Sequence, residues 1–160
     1  MTDIKDIIAA TGDQVNSCSC DKCKDMCRHC PCIGTPIDML RLIDAGYIDK
    51  LEFTYWAAGL NYGIEATRMI TPVKLPWGPC AFLTEDGLCE LHDKGLKPTE
   101  GKLVTHNSKL ADNPDKVIPF AVAKSWRPSI HNPNIRIMAI VSEKVAQNIK
   151  AKKNKEIYYL

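Results

Sequence analysis

The chain has 160 residues, 45% of them apolar and 25% charged, which is enough material for one domain with a buried core. No stretch approaches the ~20 apolar residues of a membrane helix, and Met1-Thr2-Asp3-Ile4-Lys5-Asp6 lacks the basic-then-apolar opening of a secretory leader. The formal net charge of +2 counts thiols as neutral; eight thiolates holding two divalent ions would bring it to about −2, so charge alone makes no case for nucleic acid.

In chain order, Asp3 to Ala10 reads as a short helix with Ile4, Ile7 and Ile8 on one face and Gly12 near its end. Ser17 to Pro31 is polar, cysteine-dense and without evident periodicity, too poor in large apolar residues to pack unaided. Thr35-Pro36-Ile37-Asp38 is a helix start: threonine to cap, proline at the first helical position, an acid at the positive end of the dipole. Ile37, Leu40 and Ile43, with Met39 as a further candidate, give it an apolar face, and Gly46 stops it. Tyr47 to Trp56 predicts a second short helix or an ordered loop. Gly59 to Pro79 predicts irregular chain with some strand over Arg68 to Leu75.

Cys80 to His92 predicts a hairpin, with Ala81-Phe82-Leu83 and Leu88-Cys89-Glu90-Leu91 on either side of an Asp86-Gly87 turn. Lys94 to Asn113 reads as loop with an extended piece at Lys102 to Thr105. Asn113-Pro114-Asp115 can start a helix that reaches Trp126 and ends at Arg127-Pro128. Asn132-Pro133 can start the last helix, amphipathic through Ile137, Ile140 or Val141, Val145 and Ile149 to about residue 152. With no internal repeat and no separable linker, residues 1–160 are expected to form a single compact domain, mainly α with a small β-hairpin and irregular loops, organised around metal.

The cysteines are the anomaly. Six of the eight lie between Cys18 and Cys32, and the others are Cys80 and Cys89. Disulfide scaffolds belong to short exported chains that cannot build a core; clustered thiols in a longer chain point instead to a reducing, cytoplasmic setting and to metal. The run Cys18-x-Cys20-x2-Cys23-x3-Cys27-x2-Cys30-x-Cys32 contains two C-x-x-C units, Cys20/Cys23 and Cys27/Cys30. In such a unit a tight turn lets both sulfurs face one ion, at metal–sulfur distances of about 2.3 Å. Six sulfurs within fifteen residues favour shared ligands or distant ones from Cys80 and Cys89. If Asp86-Gly87 made the hairpin turn, Cys89 would sit opposite Thr84. Cys80 would then be four residues along an extended strand, with the two sulfurs roughly 13 Å apart at about 3.3 Å per residue. On that geometry one ion cannot hold both unless the strand bends near Pro79. His92, three residues after Cys89, completes a spacing common in metal knuckles. His106 is a further candidate, while His29 is crowded by Arg28 and Cys30, and His131 reads as a cap or surface residue.

The run from Cys20 to Cys32, the apolar helix behind it, and Pro79-Cys80-Ala81-Phe82-Leu83 with Gly87-Leu88-Cys89-Glu90-Leu91-His92 resemble the YkgJ-like cysteine-cluster proteins, described as zinc- or iron-chelating domains. The resemblance covers roughly residues 18 to 106. It implies that Cys20, Cys23, Cys27, Cys30, Cys80 and Cys89 are metal ligands. Cys32 stands near the second member of that family's adjacent cysteine pair, split here by Pro31. The chain departs from the pattern after the hairpin: where the family shows Arg-Pro-x-x-Cys, it has Lys97-Pro98-Thr99-Glu100-Gly101. Glycine occupies the cysteine position, and His92, His106 or Cys18 is left to replace it.

The expected ligand set is therefore Cys18, Cys20, Cys23, Cys27, Cys30, Cys32, Cys80, Cys89 and His92, holding zinc, with iron or an iron–sulfur cluster as the alternative. A metal-binding protein whose ions organise the fold is the first reading. A metalloenzyme with a Cys/His iron or zinc centre is the second, with Glu85, Asp86, Glu90, Asp93 and Glu100 as nearby carboxylates. A zinc-based adaptor for protein or nucleic acid is the third. Its basic tail, Lys150 to Lys155, is short and fits a solvated helix end, and Trp56, Trp77 and Trp126 fit a core better than a base-stacking platform. No GxGxxG, P-loop or HExxH element is present.

Overall fold

The computed structural model describes all residues except 1, 17–19, 58, 61–62, 74–77, 107, 109–111 and 158–160; Cys18 and Trp77 lie outside the described residues. Among the described residues, six α-helices and one two-stranded antiparallel hairpin alternate with turns and irregular chain. Helix α1 (Ile4–Thr11) starts on a reciprocal capping box between Asp3 and Asp6 and buries Ile7. Helix α3 (Pro36–Asp44) starts on the matching box of Thr35 and Asp38, as the Thr-Pro-x-Asp signal predicts.

The chain then departs from expectation. Ile48–Lys50 is a single 3-10 turn, and it feeds strand β1 (Glu52–Trp56) rather than a second helix. Strand β2 (Thr67–Thr71) pairs with β1 from Glu52 opposite Thr71 to Trp56 opposite Thr67. Phe53, Thr54 and Tyr55 are the β-branched and aromatic residues that suit a pleated surface, a preference that outweighs their place at the end of an apolar-periodic stretch. The hairpin of the fold is therefore this one, and residues 80–92 form a chain of turns joined by a lone bridge between Leu83 and Cys89.

Helix α4 (Thr99–Leu103) occupies what reads as loop. At five residues it is shorter than any window in which apolar periodicity is visible. After a 3-10 turn at Pro114–Lys116 comes helix α5 (Ile118–Lys124), so the predicted 113–126 helix is real but interrupted at Val117. Helix α6 (Ile135–Ile157) begins where Asn132-Pro133 places it and runs past residue 152.

One apolar cluster joins these elements. Val141 and Val145 of α6 are fully buried against α3, whose Met39 and Leu42 are also sealed, while Ile140 is 46% exposed, which settles the helix's inner face. Ile70, Phe82, Leu91, Val122 and Trp126 complete the core. The Trp126 indole N–H donates to the Gly34 carbonyl at 2.7 Å, and Trp56 packs edge-on to Phe120 with ring centroids 4.9 Å apart.

A second organising centre is polar. Asp38 is 4% exposed, and its Oδ2 accepts from Thr35 N (2.9 Å), Thr35 Oγ1 (3.2 Å), Thr99 N (3.0 Å) and Thr99 Oγ1 (2.6 Å). One carboxylate thus caps two helix N-termini, its own in α3 and that of α4, whose Thr99 lies sixty-one positions after Asp38 in sequence. Ile33 and Glu100 add a two-way clamp beside it: Glu100 N donates to Ile33 O at 3.1 Å, and Ile33 N donates to Glu100 Oε2 at 2.6 Å. Asn16 fixes the other end of α4, donating through its backbone to Lys102 O at 2.9 Å and through its side chain to Leu103 O at 2.8 Å. Helix α4 is in this way locked to the chain on both sides of the cysteine run.

Candidate metal centre

The cysteine run forms a helix. Helix α2 (Asp21–His29) has Cys20 as its N-cap residue, Cys23 in its first turn, Cys27 near its end and Cys30 as its C-cap. Steps of three, four and three place all four on one face at 3.6 residues per turn. The helix buries none of its residues, and its other faces are polar, with an Arg28–Asp25 ion pair at 3.4 Å and His29 Nε2 3.4 Å from Asp25 Oδ2 on the surface. His29 is thus turned to solvent and to Asp25.

Cys20 and Cys23 meet His106. The Nδ1 of His106 lies 3.3 Å from each of the two sulfurs, bridging more than eighty positions of sequence. The three candidate donor atoms all lie within 4.8 Å of one another, the one such group among the described residues. In a tetrahedral zinc site with Zn–S of about 2.3 Å and Zn–N of about 2.0 Å, sulfur and nitrogen would be about 3.5 Å apart. The observed spacing fits an ion with little rearrangement. Delivery of His106 follows from α4: Asn16 holds the end of that helix, and the turn beyond it is closed by Ser108, whose Oγ accepts from Thr105 N at 2.9 Å. Cys20 and His106 are exposed and Cys23 is half-buried, so this group lies at the surface.

The remaining thiols gather a few residues away, around a cavity of about 260 Å³ lined by Cys27, Cys30, Cys32, Cys89, Lys97 and Glu100, with His92 and Asp93 also on its wall. Cys80 is buried next to it, its backbone N–H donating to the Cys27 carbonyl at 3.0 Å. The geometry that would hold Cys80 and Cys89 apart does not apply. Leu83 N donates to Cys80 O at 3.1 Å, so residues 80–83 turn rather than extend, and Cys89 faces Leu83 rather than Thr84. The reversal itself is a turn from Thr84 to Gly87, closed by Gly87 N to Thr84 O at 2.9 Å, with Gly87 at φ +74. That is a type I turn followed by a left-handed glycine, not a two-residue Asp-Gly loop. Arg28 of α2 packs against the bare Cα of Gly87, where a Cβ would meet its guanidinium at 3.1 Å.

The thiols perturb one another. Cys32 donates to Cys27, which brings the Cys27 thiol down to about 7 against the opposing effect of burial, with help from the Lys97 charge. The same hydrogen bond, and then burial, push Cys32 well up. Burial raises Cys80 to about 12 and lifts Cys89 and Cys30 as well. Glu100 is raised to about 7, chiefly by burial, although the Ile33 N–H works the other way. Buried thiols that resist ionisation, crowded together, are groups a cation would relieve, since metal replaces their protons.

Gly101 stands at the missing cysteine position. A Cβ there would lie 3.1 Å from Cys32 Sγ and 3.3 Å from its Cβ, so Cys32 fills the space in front of it. Of the nearby carboxylates, Glu90 is engaged by Lys50 and Lys94, which hold its carboxyl below its ordinary range, and Glu85 and Asp86 are in the exposed turn. Glu100 and Asp93 face the cavity. Lys97 is the residue of this region that sequence reasoning passed over; nothing in a lone lysine of a loop distinguishes it before the fold is known. Among the described residues, no helix is long and apolar enough to cross a membrane. No family model, curated protein or solved structure matches the chain.

Proposed function

We propose that this protein binds metal, zinc in the first instance, through two neighbouring cysteine-rich centres that also organise its fold. The observation that carries the reading is His106 Nδ1 placed 3.3 Å from both Cys20 and Cys23 sulfurs. Two thiols from the first turn of a helix, met by an imidazole from a distant loop, form a donor set and spacing suited to a tetrahedral ion. Cys18, just ahead of Cys20 in sequence, is our candidate for its fourth ligand. Cys27, Cys32, Cys80 and Cys89 are our ligands for the second centre, with Cys30 and Glu100 beside them. Under this reading the resemblance to the YkgJ-like cysteine-cluster proteins extends to function, with Cys32 filling the space in front of Gly101 and His106 serving the outer centre.

The experiment is elemental analysis and an absorption spectrum of protein purified without added metal, alongside His106→Ala and Cys27→Ser. Colourless protein with two zinc ions, each variant losing one of them, is expected; strong visible absorption would replace zinc by iron, for which the same donors are suitable. Full metal content in both variants would overturn the ligand assignment.

One observation favours a second reading for the inner centre. Its thiols line a 260 Å³ cavity shared with Lys97 and Glu100, so an ion there would have an approach for a small molecule, as catalytic sites require. Cobalt substitution tests it: a visible spectrum that shifts on adding thiocyanate would show an open coordination position, and an unchanged spectrum a closed one.

A further inference from the structure

Away from the cysteines, a concavity of about 560 Å³ opens between α1, the Pro114–Lys116 turn, α5 and residues 125–133, and it shares no lining residue with the cysteine cavity. Its size falls in the range of small-molecule pockets, far more than a single phosphate or sulfate needs. Ile7, Ala10 and Ala121 give it an apolar floor, and Lys116, Arg127 and His131 stand around it.

The charges in it are unevenly matched. Asp115 already holds Lys124 at 3.2 Å, which leaves Asp6, its Oδ2 accepting from Asp3 N at 2.9 Å, as the one remaining lining carboxylate against the two cations Lys116 and Arg127. Among the described residues Lys116 and Arg127 have no carboxylate within ion-pair distance. The wall that carries Arg127 is fixed in advance: the Asn132 side chain donates to Ser125 O at 2.9 Å and to Arg127 O at 2.7 Å, and Asn134 Oδ1 accepts from Thr2 N at 2.9 Å. A pocket that is preformed, apolar at its base and bordered by unmatched cations has the features that recognise an anion with a hydrophobic body.

We infer that this cavity is a binding site for a small organic anion, its carboxylate or sulfonate headgroup held between Lys116 and Arg127 and its apolar body resting on Ile7, Ala10 and Ala121. A guanidinium offers the paired donors that fit a planar carboxylate, and lysine adds a point charge. The site is independent of metal at the cysteines.

Titration with the fluorescent aryl sulfonate anilinonaphthalene sulfonate tests the inference on the full, metal-replete chain, with hexanoate as competitor and uncharged anilinonaphthalene as control. Saturable one-to-one binding, displaced by hexanoate and weakened by added salt, is expected. The double variant Lys116→Gln/Arg127→Gln should bind the sulfonate at least tenfold more weakly with an unchanged melting temperature, and Ala121→Trp should fill the floor and abolish binding. Equal affinity for the uncharged control, or a sulfonate affinity unchanged in the double variant, would overturn the proposal. The double variant replaces surface side chains only, so it decides the matter even if Ala121→Trp does not fold.

Discussion

Replacing Asp38 by asparagine isolates the polar hub that sets the position of α4. In the native chain one carboxylate oxygen takes four hydrogen bonds, two from backbone N–H groups at helix starts and two from threonine hydroxyls. Asparagine keeps the shape and can leave its amide oxygen in place, but that oxygen is neutral. Hydrogen bonds to a charged acceptor are worth about 1.5–3 kcal/mol each and those between neutral groups about 0.5–1.5. A loss near 1 kcal/mol per bond, eased by small shifts, gives a destabilisation of about 3 kcal/mol for Asp38→Asn. A chain this long has an unfolding entropy of about 0.34 kcal/mol/K, so the melting temperature should fall by about 9 °C. Circular dichroism or calorimetry on metal-saturated protein measures it. A fall of less than about 3 °C, equivalent to roughly 1 kcal/mol, would refute the claim that this carboxylate ties the two helix starts together.

Glu100→Gln should reverse sign with pH in metal-free protein. The Glu100 carboxyl is raised from 4.5 to about 7, so its contribution to stability is complete below its unfolded value and is lost as pH rises through about 7. Glutamine cannot ionise yet can still accept from Ile33 N; the variant should melt higher than native at about pH 8 and no higher at about pH 4, and a lower melting temperature at pH 8 would count against a buried carboxyl. Gly101→Ala should leave metal-free stability within about 1 kcal/mol, because the helical gain offsets a Cβ set 3.1 Å from Cys32 Sγ. The same variant should weaken metal at the inner centre at least tenfold in competition with a chelating dye, since a metal-bound sulfur cannot give way; unchanged affinity would show that Cys32 is not a ligand. Chelation should release α2 first: hydrogen exchange over residues 21–29 should become fast while α6 keeps its protection, and equal protection of α2 with and without metal would remove the metal from its role in folding.

Some local rules in the sequence were followed by the fold, although the two-residue Asp86-Gly87 turn was not. The Thr35 cap with Pro36 at the first helical position, and the Asn132-Pro133 signal just ahead of α6, each depend on groups within a few positions, so they could be read directly. The errors fall where distant partners decide. Helix α4 exists because Asp38 caps it and Asn16 holds its end, neither of which five residues of local sequence reveal. Residues 80–92 carry the alternation of a hairpin but bend at Cys80, where the chain is tied to Cys27. The strand pairing went instead to Glu52–Trp56 and Thr67–Thr71, separated by a stretch whose glycines read as irregular.

The cysteine run shows the same division in a single segment. Its positions 20, 23, 27 and 30 follow the step of a helix face, and that signal was available from the outset. It was obscured because cysteine is seldom counted as the apolar member of a helical pattern, although as a free thiol it behaves as a small hydrophobe. Of that face's four thiols Cys27 packs against the apolar core, yet α2 buries none of its residues, and nine residues are too few to hold a helix in water. On one side of that face stands His106, and on the other Cys32, Cys80 and Cys89. A helix whose inner surface consists of thiols, faced by further thiols and an imidazole, presents groups that could hold a metal ion where most helices present apolar side chains. The apolar core holds α3, α5 and α6 together without help, whereas α2 is held by those groups, by the Cys80 N–H on the Cys27 carbonyl and by Arg28 against Gly87, which is why metal and the order of this segment are proposed as one question.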